Sequence, residues 1–75
     1  MRLIMSVLDT EKLKLNRLKR GMKQKTLATA VGIAANYYSE IEAGKKIPSL
    51  ETLVDIVNAL GLEGVDVILK RKGRK

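Results

Sequence analysis

Four glycines, Gly21, Gly32, Gly44 and Gly61, each stand where a short apolar-periodic segment ends. Such stops exclude long helices and long strands, and call for short helices joined by tight turns. The first segment has Asp9 or Thr10 as N-cap and Glu11 in its first turn, where the helix dipole favours an acid. It runs to about Arg20, with Leu15, Leu18 and Met22 on one stripe and Leu13 with Arg17 on an adjoining one. A second helix spans roughly Gln24 to Val31, with Leu27, Ala28 and Val31 inward. A third runs from about Ala35 to Ala43, with Tyr38 and Ile41 inward. Pro48 disfavours helix at Ile47, so 45–48 is a loop. Ser49 then caps a fourth helix on which Leu50, Leu53, Val54, Val57 and Leu60 keep the helical period.

The chain ends read differently. Met1 to Leu8 is apolar without a helical period, which suggests a strand or an ordered arm. Val65 to Lys70 alternates and is β-branched, which favours a strand over a short helix. The expected organisation is one domain over 1–70, with a basic disordered tail at 71–75. No apolar run is long enough to span a membrane, and 3–8 is too short for a signal peptide. Cytoplasmic placement and no membrane partner are therefore expected.

Charge narrows the function. The chain carries a formal +7 and has neither Cys nor His. Disulfides, thiolate and imidazole catalysis and nearly all zinc sites are thereby excluded, and no metal or cofactor is expected. The charges are also segregated. Lys12 to Lys25 holds seven bases and no acid, Ile47 to Leu69 holds four acids and no base, and the last six residues hold five bases. This asymmetry points to a polyanion as partner. No enzyme is expected, because the remaining carboxylates sit on helix faces or in salt-bridge settings rather than as a clustered pair. An RNA-binding role is disfavoured too, since the two Tyr do not sit on a sheet as stacking platforms.

The most informative stretch is 24–44, QKTLATAVGIAANYYSEIEAG, in which two short helices meet at a turn centred on Gly32. That is the sequence form of a helix-turn-helix, here over 24–43. Ala28 lies where the two helices approach closely, and Gly32 supplies the positive φ that the turn needs. Tyr38 and Ile41 face the first helix, which leaves Asn36, Tyr37, Ser39 and Glu40 on the outward face.

These motifs carry a resemblance. Gln24-x-x-Leu27-Ala28, Gly32-Ile33, Ser39-x-Ile41-Glu42-x-Gly44-Lys45 and Pro48-Ser49-Leu50-Glu51-Thr52-Leu53 are similar to those of Cro, the phage repressors and the Xre-type regulators. The resemblance covers about Leu13 to Gly61. It implies an all-α, compact four-to-five-helix lambda-repressor-like bundle, to which the terminal segments add short β-strands. It also implies a dimer on a palindromic operator, with the third helix in the major groove of double-stranded DNA.

Within that resemblance, Ala35, Asn36 and Glu40 take the base-contact positions, Tyr37 adjoins them, and Tyr37 and Ser39 on the same outward face complete the base-contact set. Asn36 is chemically the most specific, because its amide pairs two-pronged with adenine. Lys23, Gln24, Lys25, Lys45, Lys46 and Ser49 would hold phosphates. Arg17 and Glu42 match a family salt bridge that holds the fold. The chain departs from the family at Ala34, where a capping side chain is usual, at Ala35, where a long polar reader is usual, and at Asn16, where an apolar residue is usual.

Two functions follow. The first is a sequence-specific transcriptional regulator, a repressor acting as a homodimer. The second is an antitoxin, with the same DNA-binding core and with terminal segments that grip a toxin protein.

Overall fold

Residues 6–71 are described by the computed structural model of the chain. The elements run β1 (Ser6–Leu8), α1 (Thr10–Lys19), α2 (Gln24–Val31), α3 (Ala35–Glu42), α4 (Leu50–Ala59), a 3-10 turn (Val65–Ile68) and β2 (Leu69–Arg71). Each boundary has a local cause. The Asp9 carboxylate accepts from the N–H groups of Glu11 and Lys12 at 3.2 Å each, and the Ser49 hydroxyl accepts from Thr52 N–H at 3.1 Å. At the other ends, the residue after each glycine closes the last turn onto a carbonyl five residues back. Met22 bonds to Arg17, Ile33 to Ala28, Lys45 to Glu40 and Leu62 to Val57. Such closures satisfy carbonyls that a helix end would otherwise leave open.

The helices enclose one core of Leu13, Leu27, Ala28, Tyr38, Ile41, Ile56, Val57, Leu60 and Ile68. α2 packs on both α3 and α4, while α1 packs on α3 and on the 3-10 turn. β1 and β2 pair antiparallel, with Ser6 opposite Arg71 and Leu8 opposite Leu69. A bond from Asp9 N–H to the Ile68 carbonyl at 2.8 Å ties this ribbon to the start of α1.

The structure corrects several sequence expectations. Val65–Ile68 is a 3-10 turn and not a strand, and the strand begins only at Leu69. The reason is packing: a 3-10 turn brings residues three apart to the same side. Here it seats Ile68 fully in the core with Val65 packed against it, which strand alternation from 65 would not do. Arg71 belongs to β2 rather than to a tail. The other tail residues, 72–75, and 1–5 of the expected N-terminal strand lie outside the described residues.

On α1, Leu15 and Leu18 face solvent, and the buried pair is Leu13 with Arg17. An arginine takes the inward position because a buried carboxylate pairs with it. On α4, Leu50 and Val54 are exposed and Ile56, which the periodicity passes over, is buried.

Candidate nucleic-acid interface

α2 and α3 are joined by Gly32–Ala34, with Gly32 at φ +87°. Ala28 is only 1% exposed, in the core that α2 shares with α3 and α4, so a larger side chain there would push the packed helices apart. Behind them, one buried polar cluster joins three helices. Glu42 of α3 accepts from Arg17 Nε at 2.8 Å and Nη2 at 2.9 Å, from Gln24 Nε2 at 2.9 Å and from the Tyr38 hydroxyl at 2.6 Å. Arg17 Nη1 donates to the Met22 carbonyl at 2.8 Å. The fork-to-fork geometry of a guanidinium on a carboxylate restricts orientation as well as distance. It therefore fixes α3 relative to α1 and to the start of α2.

Protonation follows from this setting. Burial alone would push the Glu42 carboxyl up, but hydrogen bonds from Arg17, Tyr38 and Gln24, with the Arg17 charge, hold it below the ordinary glutamate value. Tyr38 is pushed up, first by burial and then by its bond to the Glu42 carboxylate. Its bond to that carboxylate raises Arg17. The cluster is thus an ionised pair with a neutral phenol. Tyr38 and Glu42 lie one helical turn apart, and that spacing was the available sequence signal for the phenol's part in it.

The outward side is distinct. Ala35 and Asn36 are exposed in the first turn of α3, whose N-cap residue Ala34 makes no side-chain bond. Neither α2 nor α3 has an acid in its first turn or a side-chain cap. Their first-turn N–H groups therefore have no side-chain acceptor, which suits an external anion. Tyr37 was expected to be exposed, but it is half-buried and packs on the core, so only part of its ring faces out. Ser39 and Glu40 are half-buried as well.

Exposed basic residues precede and follow the two helices in the chain. Lys23 and Lys25 are exposed at the start of α2, and Lys45 and Lys46 on the loop after α3. Two polar residues of the expected phosphate set have other partners here. The Gln24 amide donates to Glu42, and the Ser49 hydroxyl caps α4 while bonding Thr52 Oγ1 at 3.0 Å. Among the described residues, no group of His, Cys, Asp or Glu is placed to hold a metal ion.

A packed α2–turn–α3 pair, flanked by exposed lysines and with no acid in the first turn of either helix, defines a helix-turn-helix domain of the lambda-repressor kind. Comparison with known proteins agrees. A family model described as helix-turn-helix matches residues 13–67, and the chain belongs to that family, in its Xre/Cro-type form. It is 36% identical over 58 residues to the HTH-type transcriptional regulator DdrOP3 of Deinococcus deserti, covering 77% of this chain and 45% of that protein. It is 38% identical over 60 residues to YonR, an uncharacterized HTH-type transcriptional regulator derived from the SPbeta prophage of Bacillus subtilis. That match covers 80% of this chain and 55% of YonR, so the chain spans about half the length of these two relatives.

Among solved structures, the fold is similar to the restriction-modification controller protein C.AhdI of Aeromonas hydrophila. The TM-score is 0.74 at 27% identity, over 79% of this chain and 88% of that one. It is also similar to the clp gene regulator ClgR of Corynebacterium glutamicum. There the TM-score is 0.73 at 34% identity, over 77% of this chain and 62% of that one.

Proposed function

We propose that the chain is a non-enzymatic, sequence-specific DNA-binding regulator of transcription that represses by binding a palindromic operator as a homodimer. The observation that carries this reading is the outer face of α3. Exposed Ala35 and Asn36 sit at an uncapped helix start, with exposed Lys23 and Lys25 at the start of α2 and exposed Lys45 and Lys46 on the loop that follows α3. Bases at the rim would hold phosphates and set the register, while Asn36 and the outward parts of Tyr37, Ser39 and Glu40 would meet base edges. The regulators among its relatives support the same reading. The cytoplasm is then its place of action, and no helix among the described residues is long and apolar enough to cross a membrane.

A homodimer suits the small core and the ribbon of β1 and β2, each of which keeps one edge without a strand partner in the described residues. Sedimentation equilibrium that shows only monomer, with and without DNA, would refute it. The antitoxin reading needs the terminal segments for a toxin. Ser6–Leu8 and Leu69–Arg71 are hydrogen-bonded to one another, so the regulator reading is preferred.

Selection of bound duplexes from a random pool, followed by two variants, tests the assignment. Asn36→Ala should cost about 1–3 kcal/mol on the selected site and relax preference at one base pair per half-site. Lys45→Ala should weaken binding to every sequence and lower the salt slope by about one. If Asn36→Ala loses affinity equally for all sequences, Asn36 is a backbone contact and not a reader.

A further inference from the structure

Of the eight residues of α3, only Ala35 and Asn36 are exposed. Ala34, the extended residue before them, is exposed too, and it makes no side-chain cap bond. The start of this helix therefore offers two methyl groups beside one amide. Tyr37, Ser39 and Glu40, which have longer or more polar side chains, are half-buried, and Tyr38 and Ile41 lie wholly inside.

A methyl group neither donates nor accepts a hydrogen bond, so Ala35 cannot tell bases apart by their polar edges. The major groove carries one apolar group against which it can pack, the C5-methyl of thymine. Two side chains of this size also let the backbone at the helix start approach the base edges closely. Successive Cα atoms lie about 3.8 Å apart and successive base pairs about 3.4 Å. Neighbouring residues therefore reach the same base pair or the next one.

We propose that Ala35 reads the C5-methyl group of a pyrimidine at, or next to, the base pair that Asn36 reads. The inference rests on the functional reading above, with α3 in the major groove, and adds the chemical group that its first residue selects. Thymine carries that group in ordinary DNA, and 5-methylcytosine carries it where a cytosine has been methylated. Contact between two methyl groups displaces no counterion, so this part of the affinity is independent of salt, unlike the part supplied by Lys23, Lys25, Lys45 and Lys46. It distinguishes a methylated pyrimidine from an unmethylated one without any hydrogen bond.

The test starts from a duplex selected by the full chain from a random pool. Each thymine of a half-site is replaced in turn by deoxyuridine, and each cytosine by 5-methylcytosine. At one position the methyl group should be worth about fourfold in affinity per half-site, and about fifteenfold when both half-sites are changed. The ratio should be the same at low and at moderate salt. A thymine that matters assigns ordinary DNA as the source of the methyl group, and a gain seen only with 5-methylcytosine assigns methylated DNA. In Ala35→Gly the ratio should fall to about one. Because it compares two duplexes on the same protein, any loss of folded chain cancels. An effect of the methyl group on duplex shape would survive that substitution. Lys45→Ala should weaken binding to both duplexes and keep the ratio. A selected site at which no methyl group matters overturns the inference and leaves α3 in the groove. So does a ratio that Ala35→Gly leaves intact or that Lys45→Ala also abolishes. A chain that selects no duplex at all overturns the functional reading together with this one.

Discussion

Glu42→Ala removes the acceptor on which three helices converge, and its cost follows from the geometry. The side chains of Arg17 and Glu42 are 7% and 5% exposed. Without the carboxylate, two Arg17 donors, the Gln24 amide and the Tyr38 hydroxyl lose their partner, and the guanidinium keeps only the Met22 carbonyl. Breaking a buried pair in this way costs about 3–5 kcal/mol, because the remaining charge stays desolvated and uncompensated. A chain of 75 residues has a total stability of about 4–11 kcal/mol on per-residue scaling. The variant should therefore lose about a quarter or more of its stability, and its melting point should fall by roughly 12–40 °C.

Urea unfolding followed by far-ultraviolet circular dichroism measures the loss, with an unchanged slope as the check on two-state behaviour. A companion chain with Arg17→Met, Tyr38→Phe and Glu42→Leu removes both charges and the phenol together. It should recover most of the loss, since apolar replacements of similar volume leave no buried charge uncompensated. A loss below about 1 kcal/mol for Glu42→Ala would mean that water screens the pair as it does a surface one, and would refute the reasoning.

Three further outcomes are expected. Because Glu42 is held below its ordinary value of 4.5, its contribution is present above that pH and is lost as the pH falls through the lower, folded value. Tyr38 is raised, so its contribution is present below the ordinary value of 10 and is lost as the pH climbs above it. Urea midpoints across pH should fall at both ends, and Glu42→Gln should flatten the acid limb. Gly32→Ala meets no atom within 4 Å, so its cost of about 1–2 kcal/mol should come from the left-handed backbone alone. Gly32→Asn should cost less in the same assay, since Asn tolerates that conformation. Ala34→Ser places a hydroxyl at an extended, uncapped helix start and should raise stability by about 1 kcal/mol, while Ser49→Ala should lower it by a similar amount.

Much of this molecule is decided by neighbours in the sequence. Asp9, Ser49 and the four glycines set the helix ends, because a cap or a left-handed turn depends on the backbone of a few adjacent residues. For the same reason 24–44 is legible as a helix-turn-helix, and Asn36 and the flanking lysines as its outward side. Burial is different, since it depends on what arrives from elsewhere in the chain. Arg17 goes inside and Leu15 and Leu18 stay outside because Glu42, distant in sequence, compensates the arginine. Val65–Ile68 turns instead of extending because a space bounded by α1 and α4 takes Ile68. Gln24 turns its amide to Glu42, and Tyr37 packs partly against the core, for reasons equally remote from their own segments. The helices and their limits are local in origin, whereas which faces meet, and what is left for a partner, is settled only by tertiary packing.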